Sequence, residues 1–221
     1  MRIQNKLAII IPALILVIGI AIAYKLIIDD QELPIFSPSQ INPELVDPSL
    51  QFERGQHTID DFELIDQNNN SFSQKNLKDK IYVADFFFTT CPTICPDMSG
   101  QLKRVQDAYS DQDDFMILSH TVQPEVDSPK VLKAYADLYE ANTDQWVFVT
   151  GKKATIYDLA RKSYFAAVTE GDGGPDDFIH TENFVLIDKE KRIRGFYDGT
   201  SEESVGQLIA DISILANSYD Q

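Results

Sequence analysis

The chain has 221 residues, 43% of them hydrophobic, which suits one medium globular domain with short appendages and excludes a multi-domain machine. Its 35 acidic residues against 19 basic ones leave a net charge of -16, which argues against a phosphate-backbone binder, because nucleic-acid contact depends on Lys and Arg. With 2 cysteines, neither a disulfide-stapled miniprotein nor a four-cysteine zinc site can be built.

From Leu7 to Tyr24 the chain carries no charge and is rich in Ile, Leu and Ala, long enough to span a bilayer as one helix. Arg2 and Lys6 precede this run and Asp29, Asp30 and Glu32 follow it, so the positive-inside rule exports the remainder. Ala21-Ile22-Ala23 also fits a signal-peptide cleavage pattern. The apolar run exceeds the usual signal core, however, and an uncleaved anchor over residues 1–28 is the preferred reading. Residues 29–56 carry Pro34, Pro38, Pro43 and Pro48 among polar residues without apolar periodicity, the pattern of a semi-extended linker. On this reading a chain from about residue 50 onward folds by itself. All acidic residues and all but three basic ones lie beyond residue 25, so this part should not adhere to anionic lipid.

Residues 57–221 alternate between strand-like and helix-like runs. Phe62–Ile65 and the Asn68–Ser71 turn predict a leading hairpin, and Ile81–Phe88 a buried central strand interrupted by Asp85. Asp85 reads as a structural residue, either paired with a nearby base or on a less buried face. Met98, Leu102, Val105 and Tyr109 recur at helical spacing, followed by a strand over Phe115–Leu118, which makes a βαβ unit. Ser128-Pro129 then opens a helix with Val131, Leu132, Tyr135 and Leu138 facing inward, leading to a strand at Trp146–Val149. A further helix carries Ile156, Leu159 and Ala160. The end reads as a hairpin, Phe184–Ile187 and Arg192–Tyr197, then a helix opened by a Thr200-x-x-Glu203 capping box with Val205, Leu208, Ile209 and Ile212 apolar. This order predicts an α/β, thioredoxin-like fold with a four- or five-stranded mixed sheet, preceded by one transmembrane helix. Met98 and Trp146 read as core, and the Gly-rich acidic stretch Glu170–Asp177 as a mobile loop.

Cys91 and Cys95 lie where the buried strand gives way to a helix, at the carboxyl edge of the sheet, where open α/β folds bind ligands. The positive end of a helix dipole favours a thiolate there. A structural disulfide is the plain alternative, but so short a loop would contribute only about 2 kcal/mol. Metal or redox chemistry is the stronger reading. Two thiolates under-coordinate a metal, so a third ligand is sought among His57, His120 and His180. His57 is expected on the surface and His120 on the same sheet edge as the cysteines. His180 directly precedes a strand, on a loop that a thioredoxin-like plan sets facing the Cys turn. Two thiolates with an imidazole suit copper, Cu(I) above all; zinc is compatible, but structural zinc wants four closed ligands.

The segment Thr90-Cys91-Pro92-Thr93-Ile94-Cys95-Pro96, with His180 ahead of Asn183-Phe184-Val185-Leu186-Ile187-Asp188, resembles the Sco/SenC family of copper chaperones. The resemblance implies a membrane-tethered, thioredoxin-like protein that binds one copper ion through Cys91, Cys95 and His180. It implies cytochrome c oxidase subunit II as recipient, through its dinuclear copper centre, with a periplasmic copper carrier or thiol reductant as further partner. The implied location is the bacterial inner membrane, single-pass, with the domain on the periplasmic side. The family often has Asp and Asp-Pro where this chain has Ile179 and Gln123-Pro124. A thiol:disulfide oxidoreductase, with Cys91 and Cys95 as its redox pair, is the alternative. Its usual Cys-x-x-Cys spacing is one residue shorter than the spacing here. A peroxiredoxin is disfavoured because Phe88 stands where its Thr would be.

Overall fold

The structure, a computed structural model, describes residues 12, 15–20, 32–52, 55–167 and 179–219. The chain divides into two units, 1–32 and 33–221. In the first, residues 15–20 are helical with exposed apolar side chains. Among the described residues no helix is long and apolar enough to cross a membrane, and most of the candidate span lies outside them. The acidic stretch Glu170–Asp177 also lies outside the described residues.

The second unit is built on a mixed sheet of seven strands: β1 (Glu63–Asp66), β2 (Ser71–Ser73), β3 (Ile81–Phe87), β4 (Phe115–Thr121), β5 (Trp146–Thr150), β6 (Asn183–Ile187) and β7 (Ile193–Asp198). Their spatial order is β2-β1-β5-β4-β3-β6-β7. Strands β3, β4 and β5 are parallel, joined through α1 (Ile94–Ala108) and α2 (Pro129–Leu138); β6 runs antiparallel to β3. All residues of β3, β4 and β5 are buried, as expected of parallel strands covered on both faces. The sheet is larger than the four or five strands expected. The leading hairpin does not stand apart but pairs through β1 with the edge of β5, Ile65 opposite Thr150 and Asp66 opposite Val149.

Each face of the sheet carries its own core. On one, Ile81, Val83 and Phe87 of β3 meet α1, α2 and α4 (Glu202–Asn217), and both cysteines belong to this layer. Met98, Leu102, Val105 and Tyr109 form the buried stripe of α1, as their spacing predicts. In α2, Leu132, Tyr135 and Ala136 face inward, whereas Leu138 is 71% exposed: the helix ends there, and its inward stripe follows 132, 135 and 136. The expected capping box is displaced by one residue. Ser201 caps α4 by accepting from the Ser204 amide, while Thr200 donates to Asp198 in the preceding turn.

On the other face, Tyr82, Ala84 and Phe86 pack with α3 (Lys153–Asp158, continued by a π turn over Leu159–Ser163) and with the arm preceding the sheet. That arm corrects the linker reading. Residues 33–52 fold back in two 3-10 turns, Pro38–Gln40 and Pro43–Leu45, and bury Ile41 and Val46 in the core. The Phe36 amide donates to the Ile193 carbonyl, and Arg194 donates to the carbonyls of Leu33 and Pro34. Proline spacing hides such packing, because one or two apolar anchors in an irregular segment leave no periodic signal.

Candidate metal and thiol site

The chain leaves β3 at Phe87 and turns through Phe88-Thr89-Thr90-Cys91 before α1 begins at Ile94. The Cys91 amide donates to the Phe88 carbonyl, 3.2 Å. Cys91 sits in the turn and Cys95 in the first turn of α1; both are free thiols, 7% and 3% exposed. They are not equivalent. Burial pushes the Cys91 thiol up, but the amides of Cys95 and Thr93, the Thr93 hydroxyl 3.6 Å away and the Cys95 thiol outweigh it and hold it at about 7. Burial pushes Cys95 up to about 12, helped by Cys91 and by the charge of Asp85, with the Phe88 amide acting in the opposite direction. Of the two buried thiols, Cys91 ionises the more readily and Cys95 the less.

Asp85, beneath Cys95 on the same face, corrects the expectation of a basic partner or a less buried face. It is buried, accepts from the Ser119 hydroxyl at 2.5 Å, and Ser119 in turn accepts from Trp146 Nε1 at 2.8 Å. Burial, against the Ser119 hydrogen bond, raises its carboxyl to about 7.

The three histidines separate. His57 is not a free surface group: its Nε2 lies 2.6 Å from the Ser163 carbonyl, and its ring packs on Phe165. His120 does end β4, but its side chain points to the face opposite the cysteines, stacked on Phe86 with centroids 4.7 Å apart and edged by Tyr164. Its Nδ1–H donates to the Asp85 carbonyl, and its buried Nε2 meets no hydrogen-bond partner among the described residues. His180 is exposed and sets its ring edge-on to Phe88, centroids 5.7 Å apart, so it stands beside the segment that leads into Cys91. Its neighbours are fixed: Ile179 is buried, and Thr181 and Asn183 both donate to the Ala166 carbonyl. Among the described residues no three His, Cys, Asp or Glu side chains are gathered closely enough to hold a metal ion.

His120 yields a pH prediction. Burial, against hydrogen bonds to the carbonyls of Asp85 and Leu118, lowers its imidazole from 6.5 to about 4. The unfolded chain then binds the extra proton between pH 6.5 and 4, so this stability is present above 6.5 and is lost as pH falls through 4, about 3 kcal/mol in all. Asp85, raised, acts in the opposite sense: its stability is lost as pH rises from 3.8 through about 7. Urea unfolding of wild type and His120→Phe across pH 4–7 isolates the histidine, and the variant should lose about 3 kcal/mol less on acidification. Parallel pH curves would contradict it.

Sequence reading did not find Phe88 as the link between His180 and the Cys turn, the inequality of the two thiols, or Asp127, whose buried carboxylate accepts from the amide and hydroxyl of Thr89. The Asp127-Ser128-Pro129 run reads as a helix start and as part of a segment shared with the Sco/SenC family, and neither reading reveals the contact with Thr89. These partners are 38 residues apart in the chain, a contact that no local pattern encodes.

Known proteins share this plan. The SCO1 protein homolog of Bacillus subtilis is 32% identical over 158 residues, 71% of this chain and 81% of that protein. The structure of BsSco, a member of the Sco family of cytochrome c oxidase assembly proteins in which a disulfide switch was identified, matches at 31% identity with a TM-score of 0.62, covering 72% of this chain and 94% of that one. Yeast Sco1 with copper bound matches at 26% identity and a TM-score of 0.55, over 71% and 89% of the two chains. The SCO1/SenC family model matches residues 51–217, from the end of the arm to the last residue of α4, and the chain belongs to that family.

Proposed function

We propose that this protein is a membrane-tethered copper chaperone that takes one copper ion on Cys91, Cys95 and His180 and delivers it to the dinuclear copper centre of cytochrome c oxidase subunit II. The observation that carries the reading is the pair of free, buried thiols at the mouth of α1, one held near neutrality, with His180 against Phe88 beside them. The donor set fits. Two sulfurs select soft Cu(I), an imidazole suits both copper states, and a three-ligand site stays open to exchange, as transfer requires. On this reading His180 joins the two sulfurs from its position against the Phe88 ring. Burial of Cys95 adds a pH dependence: its thiol holds its proton tightly, and copper bound to the sulfur displaces that proton to solvent, so loading releases protons and weakens as pH falls. Copper-bound yeast Sco1 and the oxidase-assembly role of the Sco family support the cargo and the recipient. The uncharged Leu7–Tyr24 run supports the tether, with the domain on the periplasmic side of a bacterial inner membrane.

A second reading, thiol:disulfide exchange with a partner's cysteines, draws on the unequal thiols. A nucleophile whose pKa lies near ambient pH attacks a disulfide best, and Cys91 meets that condition. One titration separates the two. Reduced protein should bind one Cu(I) with loss of both free thiols, and protein oxidised to the Cys91–Cys95 disulfide should bind none, because a disulfide sulfur is no longer a thiolate ligand. Equal uptake by both forms would overturn the chaperone reading.

A further inference from the structure

We propose that Asp127 is a positioning residue for the copper and thiol site, acting as a latch that fixes the Cys-bearing turn to the loop after β4; this rests on the assignment of Cys91 and Cys95 as the working thiols. Asp127 is 0% exposed, and no cation among the described residues pairs with it. A buried carboxylate without a counter-charge is costly unless hydrogen bonds saturate it. Here three donors converge on it. The Thr89 amide donates at 3.1 Å, the Thr89 hydroxyl donates to the other carboxylate oxygen, and the Thr121 hydroxyl donates at 2.5 Å. The latch is continued by its neighbours: Thr90 donates to Gln123 Oε1 at 2.9 Å, the Gln123 amide donates to Thr121 Oγ1 at 3.0 Å, and the Asp127 amide donates to the Gln123 carbonyl at 2.9 Å.

Two of the three donors belong to Thr89, which lies between Phe88 and Thr90 and two residues before Cys91. Phe88 is the residue whose amide reaches the Cys95 sulfur, whose carbonyl accepts from the Cys91 amide and whose ring meets His180. Fixing Thr89 therefore fixes three elements of the site at once. The carboxylate touches none of the proposed ligands and acts only through Thr89 and Thr121. Asn at 127 keeps one acceptor oxygen and turns the other position into a donor, which faces the Thr89 or Thr121 donors and opens the latch. With the turn loosened, the dithiol geometry loses its support and the sulfurs close more easily into a disulfide.

The test uses the full-length chain as wild type, Asp127→Asn, Thr89→Val and the double variant, with Thr89→Ser as the conservative rescue. Cu(I) affinity is read by chelator competition, the Cys91/Cys95 midpoint potential by redox titration, and folding by thermal unfolding. Asp127→Asn and Thr89→Val should each weaken Cu(I) at least tenfold and lower the potential by about 30 mV, the equivalent of a tenfold change for two electrons. The double variant should add little to either single one, and Thr89→Ser should recover most of the loss. Lower melting temperatures with unchanged affinity and potential would reduce Asp127 to ordinary structural support and overturn the proposal. If Asp127→Asn does not fold, Thr89→Val, at a half-buried position, decides alone. If wild type binds no copper while the potentials still shift, the latch stands and the copper reading falls.

Discussion

Substituting Cys91 or Cys95 with Ser is expected to abolish stoichiometric Cu(I) binding, and His180→Ala to weaken it by more than the 10–100-fold typical of losing a supporting residue around a metal. The thiolates carry the larger share because Cu(I) is soft and a hydroxyl does not replace sulfur. The two cysteine variants should differ in their remaining chemistry. With Cys91 left, a thiol near neutrality stays alkylatable at pH 7; with Cys95 left, a buried thiol of pKa about 12 should react far more slowly. His57→Ala should bind copper normally, since that ring is engaged with Ser163 and Phe165. Chelator competition for affinity and iodoacetamide rates for reactivity check both halves. Full copper occupancy in His180→Ala would remove the third ligand, leaving a two-sulfur carrier.

A chain starting at residue 51 should be strongly destabilised or unfolded, whereas one starting at residue 33 should fold. The arm places Ile41 and Val46 in the core, and burying an aliphatic side chain is worth about 1.5–3 kcal/mol. Arg194 loses its two carbonyl acceptors at Leu33 and Pro34, though it keeps Asp188 at 3.0 Å. The combined loss, about 5 kcal/mol, is comparable with the whole stability of many domains. Denaturant unfolding of the two truncations provides the measurement. Equal midpoints would restore the tether reading of residues 33–50.

What the sequence determined by itself was everything encoded in local periodicity and local chemistry. Met98, Leu102, Val105 and Tyr109 stripe α1 because every turn of a helix faces the core again, and the continuous apolar run of β3 marks a strand covered on both faces. The placement of Cys91 and Cys95 at a strand-to-helix junction was legible for the same reason. Tertiary structure alone decided the rest. That His120 turns away from the cysteines while His180 stands against Phe88 depends on the face to which each loop or strand presents its side chain. That the leading hairpin extends the sheet depends on which edge was left open, and β5 offered one. The inequality of the thiols and the latch at Asp127 arise where segments distant in sequence bring hydrogen-bond donors onto one buried atom. Burial and hydrogen bonding at such atoms are set by packing in three dimensions, which periodicity along the chain does not carry.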